Sequence, residues 1–174
     1  TTQMSLLTMI QQAIGEVGDF ESLATIVGNN NPTAVQMLAI AQKEGRELSR
    51  RHEWQVLINE KTQALTASQN NYAFPQQWQG LQAEDIGSAT TKFWRIRGDE
   101  ILIYPTPDAT DTIAYEYVST SFCKSSGGTL QAAWAADADV GRLSEDTMTA
   151  GIVWRFLQSK GLPFQNAQAE YERT

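Results

Sequence analysis

Apolar residues recur at helical spacing over residues 5–17, where Leu6, Leu7, Ile10, Ala13, Ile14 and Val17 make one stripe and Gly15 and Gly18 loosen its end. A first amphipathic helix is expected there. After a short apolar stretch over residues 20–27 comes the turn GNNNP, in which Asn31 can cap a helix and Pro32 can take its first position. The second helix carries Val35, Met37, Leu38, Ala39, Ile40 and Leu48 to about Arg51, and Gly45 within it is a weak spot that leaves room for close packing. Helical spacing returns only near the C-terminal end. Ser144 is a cap, Glu145 and Asp146 sit in the first turn where they favour the helix dipole, and Leu143 and Met148 stand as a hydrophobic staple. Met148, Ile152, Val153, Phe156 and Leu157 form the buried stripe, Gly161 and Pro163 stop it, and FQNAQAEYERT follows as a short last helix or a tail.

Between these helices the texture is that of strands. WQVLI and KTQAL alternate roughly, and the loop TASQNNYAFPQQW offers Tyr72, Phe74 and Trp78 as aromatic anchors. In FWRIRGDEILIYPTP, Phe93, Arg95 and Arg97 alternate with Trp94 and Ile96, and beyond Gly98 and Asp99 the residues Ile101 and Ile103 alternate with Leu102 and Tyr104. That is a hairpin. Arg97, Gly98 and Asp99 spell the tripeptide that cell-adhesion receptors recognise, but turn chemistry already accounts for them: glycine supplies the positive φ and Asp tolerates it. A third strand, IAYEYVST, alternates Ile113, Tyr115 and Tyr117 against Ala114, Glu116 and Val118.

The order of elements predicts an α+β chain that is mainly α, a helical bundle with a small antiparallel β insertion made of the hairpin and a third strand. Residues 1–53 and 140–174 form the expected bundle domain, 54–120 the β-region, and 121–139, rich in Ser, Gly, Ala and Asp, a connecting loop. Three strands alone are marginal, so the sheet is expected to lean on the helices or on a neighbouring subunit.

Composition narrows the chemistry. With 174 residues the chain can bury a core, and its one cysteine, Cys123, excludes an internal disulfide and reads as a half-buried thiol of a reducing cytosol. No segment approaches a membrane span, and TTQMSLLTMI does not read as a leader. A net charge of −7 argues against a reader of nucleic acid; Lys43, Arg46, Arg50 and Arg51 interleave with Glu44, Glu47 and Glu53 as a solvated, ion-paired helix face. No phosphate-cradling glycine loop occurs. His52, the single histidine, stands at a helix end, where it favours the dipole rather than acting as a base. The carboxylate pairs Glu84 with Asp85, Asp137 with Asp139, and Glu145 with Asp146 read as capping or solubilising groups, and the spacing of a calcium loop is absent. No catalytic residue, metal or cofactor is expected. Trp78 and Trp94 read as core or interface anchors.

Taken together, RRHEW at the end of the second helix, Tyr72, Pro75 and Trp78 at Tyr-x-x-Pro-x-x-Trp spacing, and RIRGDEILIYPTP followed by IAYEYVS resemble head-to-tail adaptor proteins of tailed bacteriophages, those of short-tailed phages above all. Here the link GLQAEDIGSATTK is shorter than the resemblance leads one to expect. The resemblance implies a non-enzymatic virion protein at the head-tail junction, assembled in the host cytoplasm. It further implies a ring, commonly of twelve identical subunits, that binds the portal, extends the DNA channel and receives the nozzle or tube proteins of the tail. Genomic DNA would pass without sequence-specific binding. In that setting Arg97, Gly98 and Asp99 at the hairpin tip are expected to meet the next subunit or the tail. Residues 164–174, with Phe164, Tyr171 and Arg173, are expected to order on the portal. Two other functions fit the residues: a peptidoglycan hydrolase using a carboxylate pair, and a glycan- or receptor-binding module using Trp94 and the tip.

Overall fold

The computed structural model describes residues 3–18, 21–75, 78–81, 93–107 and 111–174, with 78–81 through their backbone. Among these residues the chain divides into two compact units, Thr1–Val56 with Ser121–Thr174, and Leu57–Thr120.

In the first unit, helices α1 (Leu6–Val17), α2 (Pro32–Arg51) and α4 (Gln165–Tyr171) each pack against α3 (Glu145–Ser159). Each long helix starts where a side chain satisfies its first N–H groups. Ser5 Oγ accepts from Thr8 N, Asn31 Oδ1 from Thr33 N and Ser144 Oγ from Thr147 N. Two further donors in the first turn of α1, Leu6 N and Leu7 N, are taken by the carbonyls of Asp139 and Asp137 at 2.7 and 3.1 Å. Leu6, Met9, Ile10, Met37, Leu48, Met148, Ile152 and Phe156 fill the core between the helices, and no helix is long and apolar enough to cross a membrane among the described residues.

The segment read as a connecting loop is part of this core. It carries strands β7 (Cys123–Lys124) and β8 (Leu130–Gln131), which with β9 (Val140–Gly141) make a three-stranded sheet in the order β8-β7-β9. Two-residue strands leave no periodicity to read; their pairing comes from distant partners. Phe122 is fully buried beside Gly45, where an added Cβ would lie 2.3 Å from its ring, and Trp134 meets it edge-on at 5.7 Å. Gln42 locks the same segment to α2 by accepting from Trp134 N and donating to its carbonyl. Cys123 is fully buried, not half-buried, and burial, with the nearby charge of Asp139, pushes its thiol up to about 12.

The described residues of the second unit form two further sheets. Strand β6 (Asp111–Ser119) runs between β1 (Ile58–Leu65) and β3 (Trp78–Leu81), and β5 (Glu100–Tyr104) runs between β2 (Asn71–Ala73) and β4 (Phe93–Arg97). All neighbours are antiparallel. Leu65, Ile113 and Tyr115 from the first sheet meet Tyr72, Ile101 and Ile103 from the second around Phe74, and Trp94 and Tyr117 pack against this cluster.

This corrects the expected fold class. Among the described residues the protein is mixed α/β with three small sheets, not a mainly helical bundle with one small insertion. The third strand does not extend the hairpin's sheet: β6 pairs along eight positions with β1, from Ile58↔Val118 to Leu65↔Asp111. Alternation specifies the face of a strand and leaves its partner open. Because side chains of both sheets share one hydrophobic cluster, the β-unit has a core of its own.

Candidate functional site

The hairpin lies where the alternation puts it. Phe93↔Tyr104, Trp94↔Ile103, Arg95↔Leu102, Ile96↔Ile101 and Arg97↔Glu100 are cross-strand partners, which leaves Gly98 and Asp99 as the turn. Gly98 has φ +62°, the left-handed conformation that glycine adopts without strain. Arg97 and Glu100 form an exposed ion pair at 3.6 Å, and the Asp99 carbonyl accepts from Phe74 N at 3.0 Å, tying the tip to the end of β2. Beneath the tip Tyr72 and Phe74 are buried, and Tyr72 Oη both accepts from Thr66 N and donates to the Gln69 carbonyl. Trp94 is half-buried against the cluster. The side chain of Trp78 lies outside the described residues, as does most of the link GLQAEDIGSATTK. The tip therefore presents the charged side chains of Arg97 and Asp99 on a support anchored by aromatic residues.

Of the short last helix or tail that the sequence allows, the helix forms: α4 packs against α3 and Tyr171 is buried. Tyr171 Oη donates to Glu44 Oε1 at 2.6 Å, the Arg51 guanidinium lies 4.6 Å above the Tyr171 ring, and Arg51 also pairs with Glu172 at 2.7 Å. The Trp154 ring is 6.0 Å from Tyr171 and 6.4 Å from Phe164. Phe164 is half-buried and Arg173 exposed, its Nε donating to the Ala169 carbonyl. Of the three residues expected to meet the portal, Tyr171 is thus engaged within the unit.

Glu44 organises this end of the molecule. It is 0% exposed, its Oε2 accepts from Arg155 Nε at 2.6 Å, and Arg155 reaches on to Glu47 at 2.6 Å. Burial pulls the Arg155 guanidinium down, but hydrogen bonds to and charges of Glu44 and Glu47 outweigh it and leave it raised. Tyr171 is pushed up to about 12, by burial first and then by its bond to the Glu44 carboxylate. Space for that carboxylate comes from Gly151 in α3, where a Cβ would fall 2.2 Å from the Glu44 carboxyl carbon. Sequence spacing places Glu44 on the solvated face of α2. That expectation fails because the partners that bury it, Arg155 and Tyr171, lie 111 and 127 positions away. Lys43 and Glu47 keep the exposed i,i+4 pairing that the spacing predicts.

The candidates for acid-base chemistry are held by the backbone. The Asp137 carboxylate accepts from Ile26 N and Val27 N at 3.1 and 2.7 Å, and Asp139 Oδ2 from Ala135 N and Ala136 N at 2.7 and 2.8 Å. Glu145 Oε1 accepts from Met4 N. His52 follows the last turn of α2 and meets Trp54 edge-on at 5.8 Å, while Trp54 Nε1 donates to the Leu48 carbonyl and satisfies one of the helix's last acceptors. Glu84 and Asp85 lie outside the described residues. Among the described residues no three His, Cys, Asp or Glu side chains gather as a metal-binding group.

No family model matches the chain, and no curated protein matches it. The described residues form two supported surfaces, a charged hairpin tip and an aromatic cluster covered by α4.

Proposed function

We propose that the chain is a non-enzymatic structural protein of a virion, a head-to-tail adaptor. Its copies stand side by side in a ring beneath the portal, lengthen the DNA channel and offer the tail an attachment surface. The observation that carries this reading is the exposed Arg97-Gly98-Asp99 tip on a β-unit with its own core. A tip with one positive and one negative side chain favours one direction of approach, which suits contact with the next subunit or the tail. The RIRGDEILIYPTP and IAYEYVS segments, which carry the resemblance to phage adaptors, build that tip and the strand β6. A net charge of −7 suits a channel through which DNA passes without sticking. The portal contact falls in this reading to residues 164–174, where Arg173 is exposed and Phe164 and Tyr171 stand against Trp154.

Measurement of mass in solution, for the chain alone and with the cognate portal ring, tests the proposal. Many copies joining one portal are expected. A chain that ignores the portal and instead releases sugar fragments from peptidoglycan, or binds glycans through Trp94, would overturn it.

A further inference from the structure

The outer face of the hairpin is unlike the rest of this acidic chain. Phe93 and Tyr104 are cross-strand partners and remain 71% and 40% exposed, whereas Trp94, Ile101 and Ile103 point to the core side. Alternation and register put Arg95 and Arg97 on the Phe93 face together with the buried Leu102 and with Glu100, which pairs with Arg97 at 3.6 Å, and the Arg95 guanidinium lies 6.0 Å from the centre of the Tyr104 ring. An exposed aromatic pair flanked by arginines is the composition that interface centres favour over ordinary surface.

A complementary surface occurs in the helical unit. Glu16 of α1, Asp146 of α3 and Glu170 of α4 line a cleft of about 190 Å³ whose described lining includes no Lys, Arg or His. Gln12 Nε2 donates to Glu16 Oε1 along one wall, and the buried Thr149 lines the cleft with an Oγ1 that has no hydrogen-bond partner among the described residues. A guanidinium is the group that such a lining suits: it offers several N–H donors and a positive charge at once.

We infer that the Phe93-Arg95-Arg97-Tyr104 face docks onto a second copy of this chain, with its arginines against the cleft formed by Glu16, Asp146 and Glu170. The inference rests on the ring reading above and supplies its subunit contact. Because the two surfaces differ, the contact is heterologous, and repetition about an axis closes a ring or continues as a filament. The occupant is another copy because the chain's excess of acids, 20 against 13 Lys and Arg, leaves this face as a basic-aromatic patch matched by the chain's own acidic cleft.

Charge exchange on the full-length chain tests the contact. Sedimentation over rising concentration reads self-association without portal, and the mass of portal complexes reads assembly on it. Circular dichroism checks the fold of each variant; all the exchanged residues are exposed, and Asp146, in the first turn of α3, is left unchanged. Arg95→Glu with Arg97→Glu, or Glu16→Arg with Glu170→Arg, is expected to weaken association by about tenfold or more in whichever assay the wild type associates, and the four changes combined to restore most of it. Self-association that follows this pattern without any joining of the portal upholds the contact and overturns the adaptor reading. Normal loading of both paired variants onto the portal overturns the contact and leaves the adaptor reading standing. A wild type that neither self-associates nor joins the portal overturns both.

Discussion

Tyr171 Oη and Glu44 Oε1, 2.6 Å apart and 127 positions apart in the chain, join the last helix to the middle of α2. The bond is one of two buried contacts of a single carboxylate, the other being Arg155 Nε. Its two ends have different consequences when removed. Tyr171→Phe keeps the ring under Arg51 and against Trp154 but removes one donor, so a loss of about 1–2 kcal/mol is expected in urea unfolding. Glu44→Ala leaves Arg155 without its buried partner and is expected to cost about 3–5 kcal/mol. Equal effects of the two substitutions would show that the carboxylate is solvated and that α4 is not held by it.

Stability toward alkali follows from the same residues. Tyr115 and Tyr171 are each raised to about 12 from an ordinary value of 10, and Cys123 to about 12 from 9, burial being the first cause in all three. A group whose folded value is raised contributes fully below its unfolded value and loses that contribution as pH climbs toward the folded one. The urea midpoint should therefore hold steady in this respect up to about pH 9 and fall progressively between pH 9 and 12. Tyr171→Phe should flatten the part of that fall above pH 10. Native Cys123 should also resist thiol reagents near neutral pH and react once urea unfolds the chain.

The helix starts were legible because their causes are local. Ser5, Asn31 and Ser144 each cap within three residues, and the spacing of the following apolar residues does the rest. The hairpin was legible for the same reason, since Gly98 and the alternation on either side lie within one short segment. What could not be read depended on distance. Strand β6 carries a clear alternation, but nothing in IAYEYVST says that KTQAL and not EILIY lies beside it. Glu44 looks like any surface acid until Gly151, Arg155 and Tyr171 are brought to it. The hairpin half of the candidate site was therefore visible in the sequence, and the Glu44 half was not.

Two helical glycines with opposite surroundings give a test of sign. Gly45 stands against the Phe122 ring, where a Cβ would come within 2.3 Å, and Phe122 is fully buried and cannot swing into solvent. Gly45→Ala should therefore destabilise the protein by about 1–3 kcal/mol. At Gly15 in α1 an added Cβ meets nothing within 4 Å, so Gly15→Ala removes only the entropic cost of a helical glycine and should stabilise by about 0.5–1 kcal/mol. Thermal unfolding of the two variants decides the matter, and a shift in the same direction for both would contradict the close approach at Gly45.

Asp137 and Asp139 offer a final separation of structural from chemical roles. Both carboxylates accept from backbone N–H groups, Asp137 from Ile26 and Val27 across a gap of more than a hundred positions, Asp139 from Ala135 and Ala136 within its own turn. Asp137→Ala strands two donors on a segment whose Ile26 is buried, so a loss of about 1.5–3 kcal/mol is expected. Asp137→Asn retains an acceptor oxygen and should recover a large part of that loss. A metal-binding role would give the opposite pattern, because it needs the charge: the Asn variant would then be as damaged as the Ala variant, and added calcium or magnesium would raise the unfolding midpoint of the wild type alone. Unfolding curves of the three proteins with and without those ions are expected to show the Asn rescue and no ion-dependent shift.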